Sequence, residues 1–161
     1  MSGGFFQLLL LIIIANGAPI VARQLLNDSF DLAVDFGQKF PDRQPIFGAS
    51  KTWRGIISAL LVTSVTGWLM GYAPETGLLV AVYAVSGDLF SSFIKRRLSM
   101  PPSSMAPLLD QVPESLLPAF MLMNVFKLDY STVSMLVLTF IVLELLLSHT
   151  LYKWGMRNTP Y

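Results

Sequence analysis

The chain has no cysteine, one histidine and few charges. Without cysteine there are no disulfides, thiolate metal centres or cysteine nucleophile, and one histidine cannot make a clustered-imidazole metal site. Charged residues make up 13% of the 161 positions, against about 25% in an ordinary soluble chain. No glycine-rich Walker loop is present, which excludes a P-loop enzyme. A formal net charge of +1 gives no reason to expect a nucleic-acid partner and sets no oligomeric state. What is abundant is apolar surface: 53% of residues are hydrophobic, mean hydropathy is +0.60, and these residues come in long blocks. The class is a polytopic membrane protein, all-α, with room for a single domain over residues 1–161.

About five transmembrane helices are expected, over residues 5–26, 52–72, 77–94, 112–126 and 132–152. The N-terminal apolar run has no basic n-region and reads as a retained span, not a cleaved signal. Its middle holds Asn16-Gly17-Ala18-Pro19, which predicts a break in the helix, of a kind tolerated at membrane depth only beside protein or a water-lined cavity. Residues 27–50 read as a mixed-charge loop. Asp28, Asp31 and Asp35 in it are expected to be solvated, and Asp35-Phe36-Gly37 matches the kinase metal triplet by chance, since the other kinase motifs are missing. Ser50 is a plausible N-cap for the second span. Lys51 and Arg54 follow it in the first turn, where cations oppose the helix dipole unless an anion sits there.

The stretch from Ser86 to Gln111 is the least like a plain membrane span. Asp88, Ser91, Ser92 and Lys95 are spaced to share one helix stripe, and Lys95-Arg96-Arg97 form a cation cluster. Three prolines follow before Asp110 and Gln111, and Asp110 and Glu114 stand four apart. An acid inside an apolar helix is costly and marks a functional site by default. Asp88 paired with a cation one turn on would be the purely structural alternative. Five spans place ten of the eleven Lys and Arg on one side, with only Lys127 on the other. The positive-inside rule then puts the N-terminus outside, the C-terminus in the cytoplasm and the polar loops on the cytoplasmic face of the cell (inner) membrane.

Two carboxylates from separate elements, Asp88 and Asp110, suit a hard cation such as Mg²⁺ with oxygen ligands. The neighbouring Lys and Arg suit the phosphates such a cation would bridge. The residues themselves thus point to a membrane phosphoryl- or nucleotidyl-transferase acting on a lipid phosphate or alcohol. A small ion or solute transporter using Asp88 and Glu144 is the alternative from another class, although no internal repeat is visible.

The segments Asn16-Gly17-Ala18-Pro19, Lys51-Thr52-Trp53-Arg54-Gly55, Gly87-Asp88 through Ser92-Phe93-Ile94-Lys95-Arg96-Arg97, and Leu109-Asp110-Gln111 together resemble the CDP-archaeol synthase family. That family belongs to the CTP-dependent membrane cytidylyltransferases related to phosphatidate cytidylyltransferase, and the chain looks like a bacterial-type member. The resemblance implies a Mg²⁺-dependent reaction of CTP with a lipid phosphate, giving a CDP-lipid and pyrophosphate. It implies Asp88 and Asp110 as metal ligands, these two and Lys95 as catalytic residues, and Asn16, Lys51, Arg54, Ser92, Arg96, Arg97 and Gln111 in substrate binding. Glu114 stands where the family pattern has a second Asp shortly after the Leu-Asp-Gln triplet; it either replaces that acid or has no role. The lipid phosphate is archaeol-type, phosphatidate-like, or another isoprenoid or acyl phosphate.

Overall fold

The structure is a computed structural model describing residues 3–27, 29–101, 104 and 106–153; side chains are described as far as residue 150. It contains five helices: α1 (Gly3–Leu26), α2 (Trp53–Leu69), α3 (Pro74–Arg97), α4 (Gln111–Met121) and α5 (Tyr130–Lys153). Among the described residues there is no β-strand, only two isolated bridges, Ala33 with Thr52 and Lys39 with Pro45. Successive helices pack as neighbours, and α1 also touches α3, α4 and α5. α1 is therefore the post around which the others are arranged. Phe5, Leu8, Leu11 and Ile12 of α1 are fully buried with Val80, Leu136 and Phe140, while Leu61, Leu69, Leu138 and Leu146 face outward. A helix apolar on every side suits a bilayer, where protein and lipid both cover hydrocarbon.

α1, α3 and α5 are long and apolar enough to cross a membrane. The protein is a multi-pass membrane protein. Each of these helices has 24 residues, about 36 Å of rise. α1 runs unbroken through Asn16 to Pro19, so the expected break is absent. Proline removes a single backbone donor, and the Pro19 ring lies against Gly55 of α2. The N-cap of α2 is Thr52, not Ser50; its hydroxyl accepts the Gly55 N–H at 3.2 Å. α3 begins with Pro74 in its first turn and keeps Lys95, Arg96 and Arg97 in its last, where cations favour the dipole. Asp129 closes the start of α5 by accepting the Thr132 N–H at 2.7 Å and the Ser131 hydroxyl at 2.9 Å. These bonds hold its carboxyl down at about 2.

The fourth expected span is different. α4 has only 11 residues, about 16 Å, too little to cross a bilayer alone. It begins part-way along α3: Gly87, ten residues before Arg97 and so about 15 Å inward, lies against the backbone of Pro113 and Glu114. After α4 the chain continues in turns to Phe126, which is buried on Tyr72 with ring centroids 5.0 Å apart and abuts Gly4 at the start of α1. Residues 98–110 thus dip back towards the bundle and set Asp110 and Glu114 below the cation-rich end; Pro102, Ser103 and Met105 of this loop lie outside the described residues.

Glycine makes two of these approaches possible. Gly67 and Gly77 let α2 and α3 meet backbone to backbone, a Cβ on Gly77 falling 2.9 Å from Ser64 Cα. A Cβ on Gly87 would fall 2.7 Å from the Glu114 nitrogen. Gly87→Ala is expected to cost about 1–3 kcal/mol by overpacking and to lower Tm in detergent. Gly17→Ala, with nothing within 4 Å, should leave Tm unchanged or raise it.

Candidate active site

The polar side chains gather where the C-terminal ends of α1 and α3 meet the N-terminal end of α2 and the loop before α4. Asp88 sits on the inner face of α3, with Ser91, Ser92 and Lys95 buried on the same stripe. Its partner is not Lys95, seven residues on along that stripe. The Lys51 ammonium, from the other side of the site, lies 2.6 and 2.5 Å from the two Asp88 oxygens. The Glu114 carboxyl, carried inward by α4, is within hydrogen-bonding reach of the same carboxylate. Burial opposes a charge on Lys51, but Asp88, with Glu114 and Asp110 further off, outweighs it and holds the ammonium above its ordinary pKa. Lys51 stays charged across the physiological range.

Lys95 serves the second acid. Its Nζ is 2.7 Å from Asp110 Oδ1 and 3.1 Å from the Ser104 carbonyl, while Asp110 Oδ2 accepts the Ala106 N–H at 3.1 Å. Asp110 and Glu114, expected to present a pair of acids on one face, are thus divided between Lys95 and Asp88. Gln111 is fully buried; its Oε1 accepts the Leu108 N–H at 2.7 Å, and its Nε2 has no hydrogen-bond partner among the described residues. Arg96 is buried too. It donates to the Pro101 carbonyl at 2.9 Å, and its Nε and the other terminal nitrogen have no hydrogen-bond partner among the described residues.

The other two arginines hold the first loop. Arg54 donates to the carbonyls of Asn27 (2.5 Å) and Ser29 (2.7 Å) and pairs with Asp31 at 3.0 Å. Arg97 lies against the rings of Phe40 and Phe93, pairs with Asp42 at 3.0 Å and donates to the Pro45 carbonyl at 2.5 Å. Asp31, though paired with Arg54, is the exposed acid expected (53%), whereas Asp35 is not solvated; Asp28 lies outside the described residues. Asp35 is buried and accepts the N–H groups of Gly37 and Phe47, both at 3.0 Å, and Gly48 at 2.8 Å. Burial alone would raise its pKa, but these three donors outweigh it and set the carboxyl below its ordinary value. The Asp-Phe-Gly triplet, a chance match as a kinase motif, is the anchor of this loop.

Two concavities adjoin the acids. One, of about 360 Å³, is lined by Lys51, Asp88, Arg23, Arg54, Asp31 and backbone at the start of α2. Arg23 was missed from sequence; standing alone in the last turn of α1, it gives no signal beyond membrane topology. The other, of about 530 Å³, is an apolar groove between α1, α2 and α5 that includes Asn16, Ser58 and Glu144 among its lining. Asn16 Nδ2 has no hydrogen-bond partner among the described residues, and Glu144 is close enough to act electrostatically on Glu114.

No group of three or more metal-ligating side chains occurs among the described residues. The donor set still fits a hard divalent cation, because Mg²⁺ is commonly held by one or two carboxylates with substrate phosphates and water filling the remaining positions. Asp88 and Glu114, within hydrogen-bonding reach of one another, would supply such a pair; Asp110, the other expected ligand, is paired with Lys95 at 2.7 Å.

Comparison with known proteins bears on the family and the fold. The CarS-like family, described as CDP-archaeol synthase, matches residues 73–161. The chain belongs to the CDP-archaeol synthase family. Its members include the CDP-archaeol synthase of Pyrobaculum calidifontis, 33% identical over 168 residues, covering 96% of this chain and 97% of that protein. The synthase of Thermofilum pendens is 33% identical over 156 residues, 92% of this chain and 76% of that protein. The match to the synthase of Hyperthermus butylicus, 35% identical, covers 59% of that protein's length. A solved structure described as an intramembrane enzyme for archaeal membrane lipid biosynthesis superposes with a TM-score of 0.74 at 27% identity, covering 86% of this chain and 89% of that one.

The Asp35 anchor yields an expectation about pH. A carboxyl with a depressed folded pKa stabilises above its unfolded value, about 3.9, and loses that contribution as pH falls through the folded one. Residues 33–52 should therefore become more open to hydrogen exchange below about pH 4. Asp35→Asn should open the same segment at pH 7, at a local cost of about 1–3 kcal/mol.

Proposed function

We propose that this chain is a membrane cytidylyltransferase joining CTP to a lipid phosphate, with release of pyrophosphate. The observation that carries this reading is the Lys51–Asp88–Glu114 cluster, which opens on a cation-lined cavity inside a membrane helix bundle. It is supported by membership of the CDP-archaeol synthase family, whose members' names speak of synthesis; the transport alternative is not favoured. A lipid phosphate oxygen attacks the α-phosphorus of CTP, the bond to the α,β-bridging oxygen breaks, and its electron pair leaves with pyrophosphate. A phosphate nucleophile needs little help from a base, so the work is positioning and charge neutralisation.

Asp88 and Glu114 would hold Mg²⁺, which supplies charge neutralisation between the phosphates. Asp110 is then either an additional ligand or the group that orients Lys95. Arg23 and Lys51 at the cavity wall, and Arg96, two of whose nitrogens have no hydrogen-bond partner among the described residues, would take triphosphate oxygens, with Ser92 and Gln111 buried on neighbouring turns of the same site. Arg54 and Arg97 act one step back, by holding the loop that closes it. The lipid's chains would lie in the apolar groove beside Asn16, whose lining includes Glu144. The cation-rich end faces the cytoplasm by the positive-inside rule, where CTP is available.

Purified protein given labelled CTP, Mg²⁺ and a panel of diether, diester and polyprenyl phosphates should form a CDP-lipid detectable by mass spectrometry. Asp88→Asn and Asp110→Asn should each lower kcat by at least about 100-fold while leaving expression intact, and chelation of the metal should abolish turnover. No CDP-lipid from any of the panel, beside a working relative as control, would overturn the reading. Full activity in both Asn variants would overturn the site.

A further inference from the structure

We propose that Lys51 is the resident cation of the metal position, displaced from Asp88 when the divalent ion arrives and then turned to the triphosphate. The inference rests on the metal assignment above but concerns a property that family membership does not imply: a built-in competition that makes metal and nucleotide load together.

Three observations carry it. First, the Lys51 ammonium approaches both Asp88 oxygens, at 2.6 and 2.5 Å, so a metal ion taking those oxygens must displace it. Asp88 cannot bind both cations in that position. Second, the Lys51 backbone is fixed while its side chain has somewhere to go. Its N–H donates to the Gly48 carbonyl at 3.1 Å, and its own carbonyl accepts the Val34 N–H at 2.8 Å; the Asp35 anchor holds Gly48 in turn. Any release is therefore a swing of the four-carbon stem into the adjoining 360 Å³ cavity. Third, apart from Lys51 and Asp88 that cavity is lined by two cations, Arg23 and Arg54, against one acid, Asp31, and Asp31 is already paired with Arg54 at 3.0 Å. An ammonium driven into it without a compensating anion meets like charge.

Metal alone must therefore remove Lys51 from its acid and leave it in a cavity whose other charged side chains, Arg23, Arg54 and Asp31, sum to a net positive charge, an unfavourable exchange. Metal arriving with a triphosphate provides the anion that receives the freed ammonium. The result is a positive coupling between metal and nucleotide, reciprocal by thermodynamic necessity. Lys51 is thus a positioning residue for the metal as well as a contact for phosphate.

The test reads metal binding without turnover. Mn²⁺ is titrated into the full-length detergent-solubilised protein, with no nucleotide or lipid, and free Mn²⁺ is followed by electron paramagnetic resonance. Lys51→Gln and Lys51→Ala should each bind Mn²⁺ at least about fivefold more tightly than the unmodified chain; Lys51→Arg, which keeps a cation there, should not. Asp88→Asn should remove the tight site from the Lys51→Gln background. Calorimetric titration with a non-hydrolysable CTP analogue preloaded with Mg²⁺ should show weaker binding to Lys51→Gln. Circular dichroism and gel filtration keep misfolded variants out of the comparison. Mn²⁺ affinity unchanged or lowered in both folded neutral variants overturns the proposal, as does equal or tighter binding of the loaded analogue. Because the Mn²⁺ arm needs neither CTP nor lipid, failure to make a CDP-lipid would leave it standing. An active enzyme with unchanged Mn²⁺ affinities would refute the exchange alone.

Discussion

A carboxylate inside an apolar helix bundle must have a counter-cation, and satisfying Asp88 organises much of this molecule. Removing an ion from water costs several kcal/mol even after relaxation, and good geometry with further hydrogen bonds is needed to offset it. Asp88 meets that demand with an ammonium from outside its own helix, both carboxylate oxygens engaged. The same solution recurs around it. Lys95 of α3 takes Asp110 from the returning loop, Arg54 of α2 takes Asp31, and Arg97 of α3 takes Asp42. Each pair joins two different elements. The charges that make this end of the bundle expensive are also what ties the loops to the helices.

Packing sets where those charges can meet. α4 reaches the depth of Asp88 because Gly87 lets the Pro113–Glu114 backbone come against α3, and it is short because it starts inside the bundle. A longer fourth helix beginning at the membrane surface would carry Glu114 away from Asp88. The 11-residue helix and the paired acids are therefore one feature seen at two levels, local geometry and site chemistry.

The class of the fold was readable from composition, and four of the five helices from their apolar blocks, because a bilayer demands long runs of carbon-rich side chains whatever the tertiary detail. The polar residues of the site were readable as a set, since acids and clustered cations stand out against such runs. Their pairing was not. Periodicity along α3 brings Asp88 and Lys95 to one stripe, but partner choice depends on how α2 and α4 are placed against it, which is a tertiary property. For the same reason Asp35 looked like a solvated loop acid. Its three backbone donors come from residues 37, 47 and 48, and only a folded loop brings the last two within reach. The expected break at Pro19 failed for an opposite reason. A local rule predicted an interruption, and the neighbouring helix supplied a flat glycine surface on which an intact helix could rest.

Under the proposed function, the same division between polar and apolar regions bears on which lipid is used. The cation-lined cavity meets only phosphate, which every lipid phosphate presents alike, so it cannot discriminate among tails. The groove between α1, α2 and α5 is lined almost wholly by apolar side chains, and such a surface distinguishes chains by about 1–3 kcal/mol for a methylene gained or lost. An ester differs from an ether by a carbonyl acceptor, and recognising that difference takes a donor at the glycerol end of the groove. Asn16 Nδ2 is a buried donor without a hydrogen-bond partner among the described residues, so any ester-versus-ether preference must act through it or through the few other polar groups there. Sequence similarity to CDP-archaeol synthases thus bears on the headgroup chemistry more firmly than on the tails, because a phosphate must be recognised whatever the tail and the tail surface is permissive by its physics.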